Sequence, residues 1–278
     1  MFSANTNQHL ELFLARLVQE PAVLVQVDSA EGSVPREAGA WMAVFADTVA
    51  GTIGGGHLEW EAIARARAQL AGAAQAGDEG PRRFALGPTL GQCCGGVVHL
   101  RFERVGAADA PALDARLSQI WRGTLRPVAL FGGGHVGHAL VRVLSQLPFA
   151  LTWIDSRDGV FPAHLPTGVQ CEHADPVQAA VAGLAPGSLV LIMSFSHAED
   201  LDVLAACLQR QRAQADLPYI GLIGSKTKWA TFRHRLEARG FTATELAQVT
   251  SPIGVPGIRG KQPEVIAVAV AAQLLQVP

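Results

Sequence analysis

The chain has 278 residues, 49% hydrophobic and 17% charged, with 22 Lys and Arg against 24 Asp and Glu. At ~150 residues per domain this predicts two domains, each able to bury a core, and it excludes wholesale disorder. A net charge of −2 gives no electrostatic case for a nucleic-acid or membrane-surface partner. The longest apolar run, Val265 to Ala272, is too short for a bilayer span of about 20 residues. The N-terminal stretch lacks the basic start and continuous apolar segment of a signal peptide. Cys93 and Cys94 are adjacent, Cys171 and Cys207 isolated, and no zinc-type spacing occurs, so the expectation is a reduced, cytosolic protein.

In chain order, residues 8–19 carry Leu10, Phe13, Leu14 and Leu17 at helical spacing, and Pro21 ends the run. AVLVQVDSA reads as a buried strand, and EGSVPREAGA as a loop broken by Gly32, Pro35 and Gly39. WMAVF and TVAGTI read as two further strands, after which Gly54, Gly55 and Gly56 open a helix with acidic residues early and arginines later. GQCCGG leads into the strand VVHLRFERV. Residues 1–108 thus form a small α+β domain, and residues 109–126, including a short helix over ALDARLSQIW, a linker.

From Pro127 strands and helices alternate: PVALFG, then GGHVGHALVRVLSQL, FALTWID, SLVLIMSF, AEDLDVLAACLQRQRAQ, LPYIGLIG and KTKWATFRHRLEARG. PEVIAVAVAAQLL closes the series with Pro263 in its first turn. Such alternation predicts a doubly wound parallel sheet over residues 127–278, so the fold class is α/β.

Four motifs carry candidate chemistry. Gly132-Gly133-Gly134-His135-Val136-Gly137 is a G-x-G-x-x-G between a strand and a helix, and Asp155 ends the next strand 18 residues after Gly137. Such glycines admit a pyrophosphate to the helix N-terminus, and the carboxylate suits a ribose; the competing reading is helix-on-sheet packing. Gly54-Gly55-Gly56 is a second junction whose amides either cradle an anion or form a tight turn. Cys93 and Cys94 stand among glycines that expose sulfur, where a thiolate binds a soft metal, carries sulfur or attacks. Cys171 and Cys207 read as small buried hydrophobes. Arg36 suits a phosphate or forms a solvated surface pair with Glu37, while Ser194, Ser196, His197, Ser225 and Lys226 follow strands where open α/β sheets bind ligands. No histidine spacing fits zinc.

Taken together, GSVPREAGAWMAV, GTIGGGHLE, LGQCCGGVV, ALFGGGHVGHAL, WIDSR, SFSHAEDL, YIGLIGSKTKW and SPIGVPGIRGKQPEVIAVAVAAQLL resemble the xanthine dehydrogenase accessory proteins XdhC and their CoxI relatives. The resemblance implies an N-terminal XdhC/CoxI domain and a C-terminal Rossmann-like domain. It implies a non-catalytic chaperone that binds the molybdenum cofactor, protects it, supports its sulfuration and inserts it into xanthine dehydrogenase. Cys94 matches the family's Cys-Gly-Gly element and becomes the candidate metal ligand, with Cys93 its rival. The expected cofactor-binding set is Cys94, Cys93, Gly54, Gly55, Gly56, Arg36, Gly132, Gly134, Gly137, Asp155, Ser196 and Lys226. Expected partners are xanthine dehydrogenase, a cysteine-desulfurase-type sulfurtransferase and a second copy in a homodimer. NAD(P) binding stays open, as does the rival reading of an NAD(P)-dependent oxidoreductase using His197 or Lys226. A third reading is an interaction module with decayed sites.

Overall fold

The structure, a computed structural model, describes residues 5–72, 80–86 and 95–278. It contains two compact units, Met1–Thr124 and Leu125–Pro278.

In the first unit the elements run α1 (Asn5–Leu17), β1 (Ala22–Glu31), β2 (Trp41–Val44), β3 (Val49–Gly51), α2 (Gly56–Leu70), β4 (Arg82–Ala85), β5 (Val97–Val105) and α3 (Ala110–Thr124). The strands form an antiparallel sheet, β3-β2-β1-β5-β4, with β1 in the middle. A central strand is covered on both faces, and the period of two divides its side chains between them. Val23, Val25 and Val27 face Leu58, Ala62 and Ala66 of α2, which recur every fourth residue. Ala22 and Leu24 face Leu10, Phe13 and Leu17 of α1 together with Leu113 and Leu117 of α3. Residues 109–126, expected as a linker, therefore lie mostly in a helix whose apolar stripe is part of the first unit's core. At 1.5–3 kcal/mol per buried leucine, roughly, Leu113 and Leu117 suffice to hold it there.

The second unit is a parallel sheet, β11-β10-β9-β6-β7-β8. Its strands are β6 (Arg126–Phe131), β7 (Phe149–Asp155), β8 (Val169–His173), β9 (Leu189–Ile192), β10 (Tyr219–Leu222) and β11 (Val249–Thr250). The helices are α4 (His135–Leu144), α5 (His197–Gln214), α6 (Lys226–Ala238), α7 (Ala243–Leu246) and α8 (Pro263–Leu274). Val128, Leu130, Leu189 and Leu191 pack against α4 and α8 on one face. Ala129, Phe131, Val190 and Ile192 pack against α5 and α6 on the other. This is the expected doubly wound sheet. The chain leaves β6 for β7 on one side and returns to β9 on the other, so the switch point lies between β6 and β9. No helix among the described residues is long and apolar enough to cross a membrane.

Candidate functional site

In the first unit three of the sequence motifs meet. Gly54 has a φ of +121°, and a Cβ added there would stand 2.5 Å from Pro35 Cβ and 3.2 Å from Arg36 Cγ. A Cβ at Gly96 would stand 2.5 Å from the carbonyl oxygens of Glu31 and Ser33 and 2.8 Å from Val34. The Pro35 loop, the Gly54 turn and the end of GQCCGG thus touch one another through glycine. Cys93 and Cys94 lie outside the described residues, and Gly95 and Gly96 are the residues that follow them.

The amides of the Gly54–Gly56 turn are largely taken. Glu59, in the first turn of α2, accepts from Ile53 N–H at 3.0 Å and Gly55 N–H at 3.1 Å through Oε2, and from the Thr52 hydroxyl. Thr52 Oγ1 accepts from Gly54 N–H at 3.0 Å. The anion on this turn is the protein's own carboxylate. Nothing in the sequence singled out Glu59 for that task beyond an acidic residue early in the helix.

In the second unit the glycines divide their duties. Gly132 has a φ of +122°, and a Cβ there would collide with the Met193 carbonyl at the end of β9. A Cβ at Gly137 would collide with the Gly132 carbonyl, which also accepts from Trp153 Nε1 at 3.0 Å. Gly134 caps α4, with open space around it. The N–H groups of Gly134, His135 and Val136 have no protein acceptor among the described residues. They are the first-turn donors that an anion would satisfy.

Asp155, the expected ribose carboxylate, is 2% exposed. Its oxygens accept from Gly133 N–H at 2.6 Å and from Arg157 N–H, Nε and Nη2, each at 2.9 Å. Burial pushes its pKa up, but the hydrogen bonds from Arg157 and Gly133 outweigh that and hold it below the usual carboxylate value. Arg157 also lies 4.5 Å from the ring centroid of Phe195, which is 66% exposed. Arg157 follows β7 and Phe195 follows β9, and these strands flank β6. Their stack therefore spans the carboxyl end of β6, beside the glycine turn.

Ser196 caps α5, accepting from Glu199 N–H at 3.2 Å. The Ser194 hydroxyl, in the same loop, is buried with no hydrogen-bond partner among the described residues, while its N–H donates to Asp200 Oδ1 at 2.7 Å. Lys226 is exposed at the start of α6. A largely buried cation lies two residues on: Lys228 donates to Asp200 Oδ2 at 2.6 Å and to the Ile223 carbonyl at 2.9 Å. Sequence reading missed Arg157, Lys228 and Asp200 because partnerships across loops leave no periodic signal. Cys207 is buried, as expected, with its thiol pushed up to about 12 by desolvation, and Cys171 is half-buried at the sheet edge. Among the described residues no cluster of three or more His, Cys, Asp or Glu is arranged to hold a metal.

The XdhC Rossmann domain is matched over residues 128–274, and the XdhC and CoxI family over residues 15–77. The chain belongs to the XdhC family. A curated relative, the uncharacterized protein YqeB of Escherichia coli strain K12, is 30% identical over 265 residues. That covers 92% of this XdhC-family chain and 43% of the relative, so the chain spans under half of the relative's length. A solved Bacillus halodurans structure, described as a xanthine dehydrogenase, has a TM-score of 0.72. It is 21% identical, over 97% of this chain and 95% of its own, and it shares the fold.

Proposed function

We propose that this chain is a maturation factor for xanthine dehydrogenase, which binds the molybdenum cofactor, protects it, supports its sulfuration and delivers it to the enzyme. The observation that carries this reading is the convergence of the Pro35 loop, Gly54 and Gly96 in the first unit of an XdhC-family chain. Gly96, two residues after Cys94 in sequence, is packed against the loop of Glu31, Ser33 and Val34, and Cys93 and Cys94 are the thiols this reading assigns to the cofactor. When bound, the cofactor supplies a soft, sulfur-ligated metal and a phosphate. Cys94 or Cys93 is the thiolate fitted to the metal or its sulfur. In the second unit, taken by itself, the N–H groups of Gly134, His135 and Val136, which have no protein acceptor among the described residues, suit an anion of their own. Arg36 and the Gly54–Gly56 turn would border the first unit's site, with Glu59 keeping other anions off the turn. The protein acts on another protein, and its partners are xanthine dehydrogenase and a sulfurtransferase.

The test is to purify the chain from cells that make the cofactor and to quantify what it carries. Cys94→Ala, Cys93→Ala and the double variant should remain folded while bound cofactor falls. Xanthine oxidation in extracts lacking the chain should be low, with the enzyme's polypeptide present. Full cofactor retention in the double variant overturns the thiol assignment, and a cofactor-replete enzyme made without the chain overturns the whole reading.

The open first turn of α4 favours one second reading, an NAD(P)-linked oxidoreductase. Its ribose ligand would be Asp155, whose oxygens already hold Gly133 and Arg157. Dinucleotide binding then requires Arg157 to yield. Calorimetry with NADH and NADPH decides this, since absence of binding removes that reading.

A further inference from the structure

We propose that a cavity of about 320 Å³, lined by the first residue of α5 and by α6 from its cap at Ser225 to Arg235 in its last turn, is a binding site for a phosphate monoester, separate from the Gly132 turn. Its lining includes His197, Ser225, Thr227, Lys228 and Arg235. The Gly132 turn opens α4, which packs on the face shared with α8, whereas α5 and α6 cover the opposite face.

The cavity's polar groups are donors. Lys228 uses two of its three N–H bonds on Asp200 and the Ile223 carbonyl, and its ammonium sits 5.3 Å from the Phe232 ring centroid. The side chain is only 11% exposed, so the ammonium is held in one place. His197 stands edge-on to the same Phe232 ring, at 6.1 Å and 87°. Ser225 Oγ accepts from Lys228 N–H at 3.1 Å, which leaves its own O–H to give. Arg235 has no ion pair among the described residues.

Among the described residues no carboxylate lines the cavity. Asp200 is bound to Lys228 and Ser194 N–H, and Glu199 receives the Ser156 hydroxyl at 2.8 Å. Asp202 is paired with Arg239 and Glu237 with Arg233. The Asp200–Lys228 pair is neutral in sum, so Arg235 supplies the uncompensated charge and Lys228 a fixed donor. Burying such a pair is costly, and removing one partner would strand the other's charge. Its positioned third N–H gives that cost a use. The guanidinium, ammonium and hydroxyl donors of α6 and its cap, with His197 of α5 beside them, suit a tetrahedral oxyanion.

The test titrates the full chain with sodium phosphate at constant ionic strength, following backbone amide shifts by NMR. Saturable shifts at Ser225, Thr227 and Lys228 are expected. Arg235→Gln should weaken phosphate at least five-fold with unchanged thermal stability, and Thr227→Val should weaken it less. Adenosine 5′-monophosphate should shift the same amides and adenosine should not. Shifts confined to His135–Gly137, equal shifts with adenosine, or full affinity in Arg235→Gln would each overturn the site. The first of these results would leave the Gly132 turn's own anion-binding capacity standing.

Discussion

Each unit carries a Gly-Gly-Gly turn between a strand and a helix, and the two turns have opposite electrical endings. At Gly54–Gly56 the carboxylate of Glu59, from the helix that the turn opens, takes the amides of Ile53 and Gly55. Glu59 has no cationic partner among the described residues, so its charge stands at the N-terminus of α2 and repels any second anion. At Gly132–Gly134 the carboxylate comes from the neighbouring strand, takes the single amide of Gly133, and is matched by Arg157. The α4 terminus keeps its donors beside a neutral pair. Glycines set the backbone of such a turn. The nearest carboxylate and its partner decide whether an outside anion is welcome.

The largest effects should come from glycines whose absent side chain is already replaced by backbone. Gly132→Ala should cost about 4 kcal/mol, because a Cβ would collide with the Met193 carbonyl at a φ of +122°. Gly54→Ala should cost about 2 kcal/mol, since a Cβ at a φ of +121° would stand 2.5 Å from the Pro35 side chain. Gly55→Ala has space but a φ of +78°, and should cost about 1 kcal/mol. Gly134→Ala, with open space and ordinary φ, should cost no more than about 1 kcal/mol, the difference between Gly and Ala at an N-cap. Urea denaturation of the four variants gives the order. If Gly134→Ala is as damaging as Gly132→Ala, packing is not what separates these positions.

The Asp155 clamp comes next. Arg157→Met leaves a buried carboxylate with two backbone donors, the N–H groups of Gly133 and of residue 157, and no cation, and should destabilise the second unit by about 2 kcal/mol, a value reduced by Arg157's partial exposure. The folded Asp155 carboxyl titrates below its unfolded counterpart, so its contribution is complete above the unfolded pKa of about 4. It is lost as pH falls through the lower folded value. Asp155→Asn should therefore flatten the acid limb of the stability curve. An unchanged slope between pH 5 and pH 2 counts against the clamp.

Much of this architecture can be read from residue pattern alone. The apolar runs of β1, β6, β7, β9 and β10 announce strands, and glycine or proline marks where α2, α4, α6 and α8 begin or end. β4, β8 and β11 carry no such signal. All three are sheet edges, short, and two of them rich in charged or polar side chains (RRFA, VQCEH). An edge strand needs only one paired neighbour and gains from charge that blocks further pairing, so it has no apolar run to show. The helix α3 is visible in sequence, but whether its leucines belong to a linker or a core depends on α1, some hundred residues earlier. The glycine turns are legible as turns. Their occupancy is not, because which amides Glu59 and Asp155 take, and that Arg157 matches only the second, depends on contacts across loops.

The smallest change is also the sharpest test of the comparison. Glu59→Gln keeps an oxygen acceptor for the amides of Ile53 and Gly55 while removing the charge. The stability lost should be no more than about 1 kcal/mol, the range of a carboxylate's interaction with a helix N-terminus. Anion binding should change more. In the unsubstituted chain, phosphate should leave the amides of Gly56, His57 and Leu58 unshifted, because Glu59's charge opposes it there. In Glu59→Gln the same amides should respond, as those of His135 and Val136 do in both proteins. Equal responses at the two turns before substitution would mean that an internal carboxylate does not exclude an external anion. The two turns would then be equivalent sites, despite Arg157.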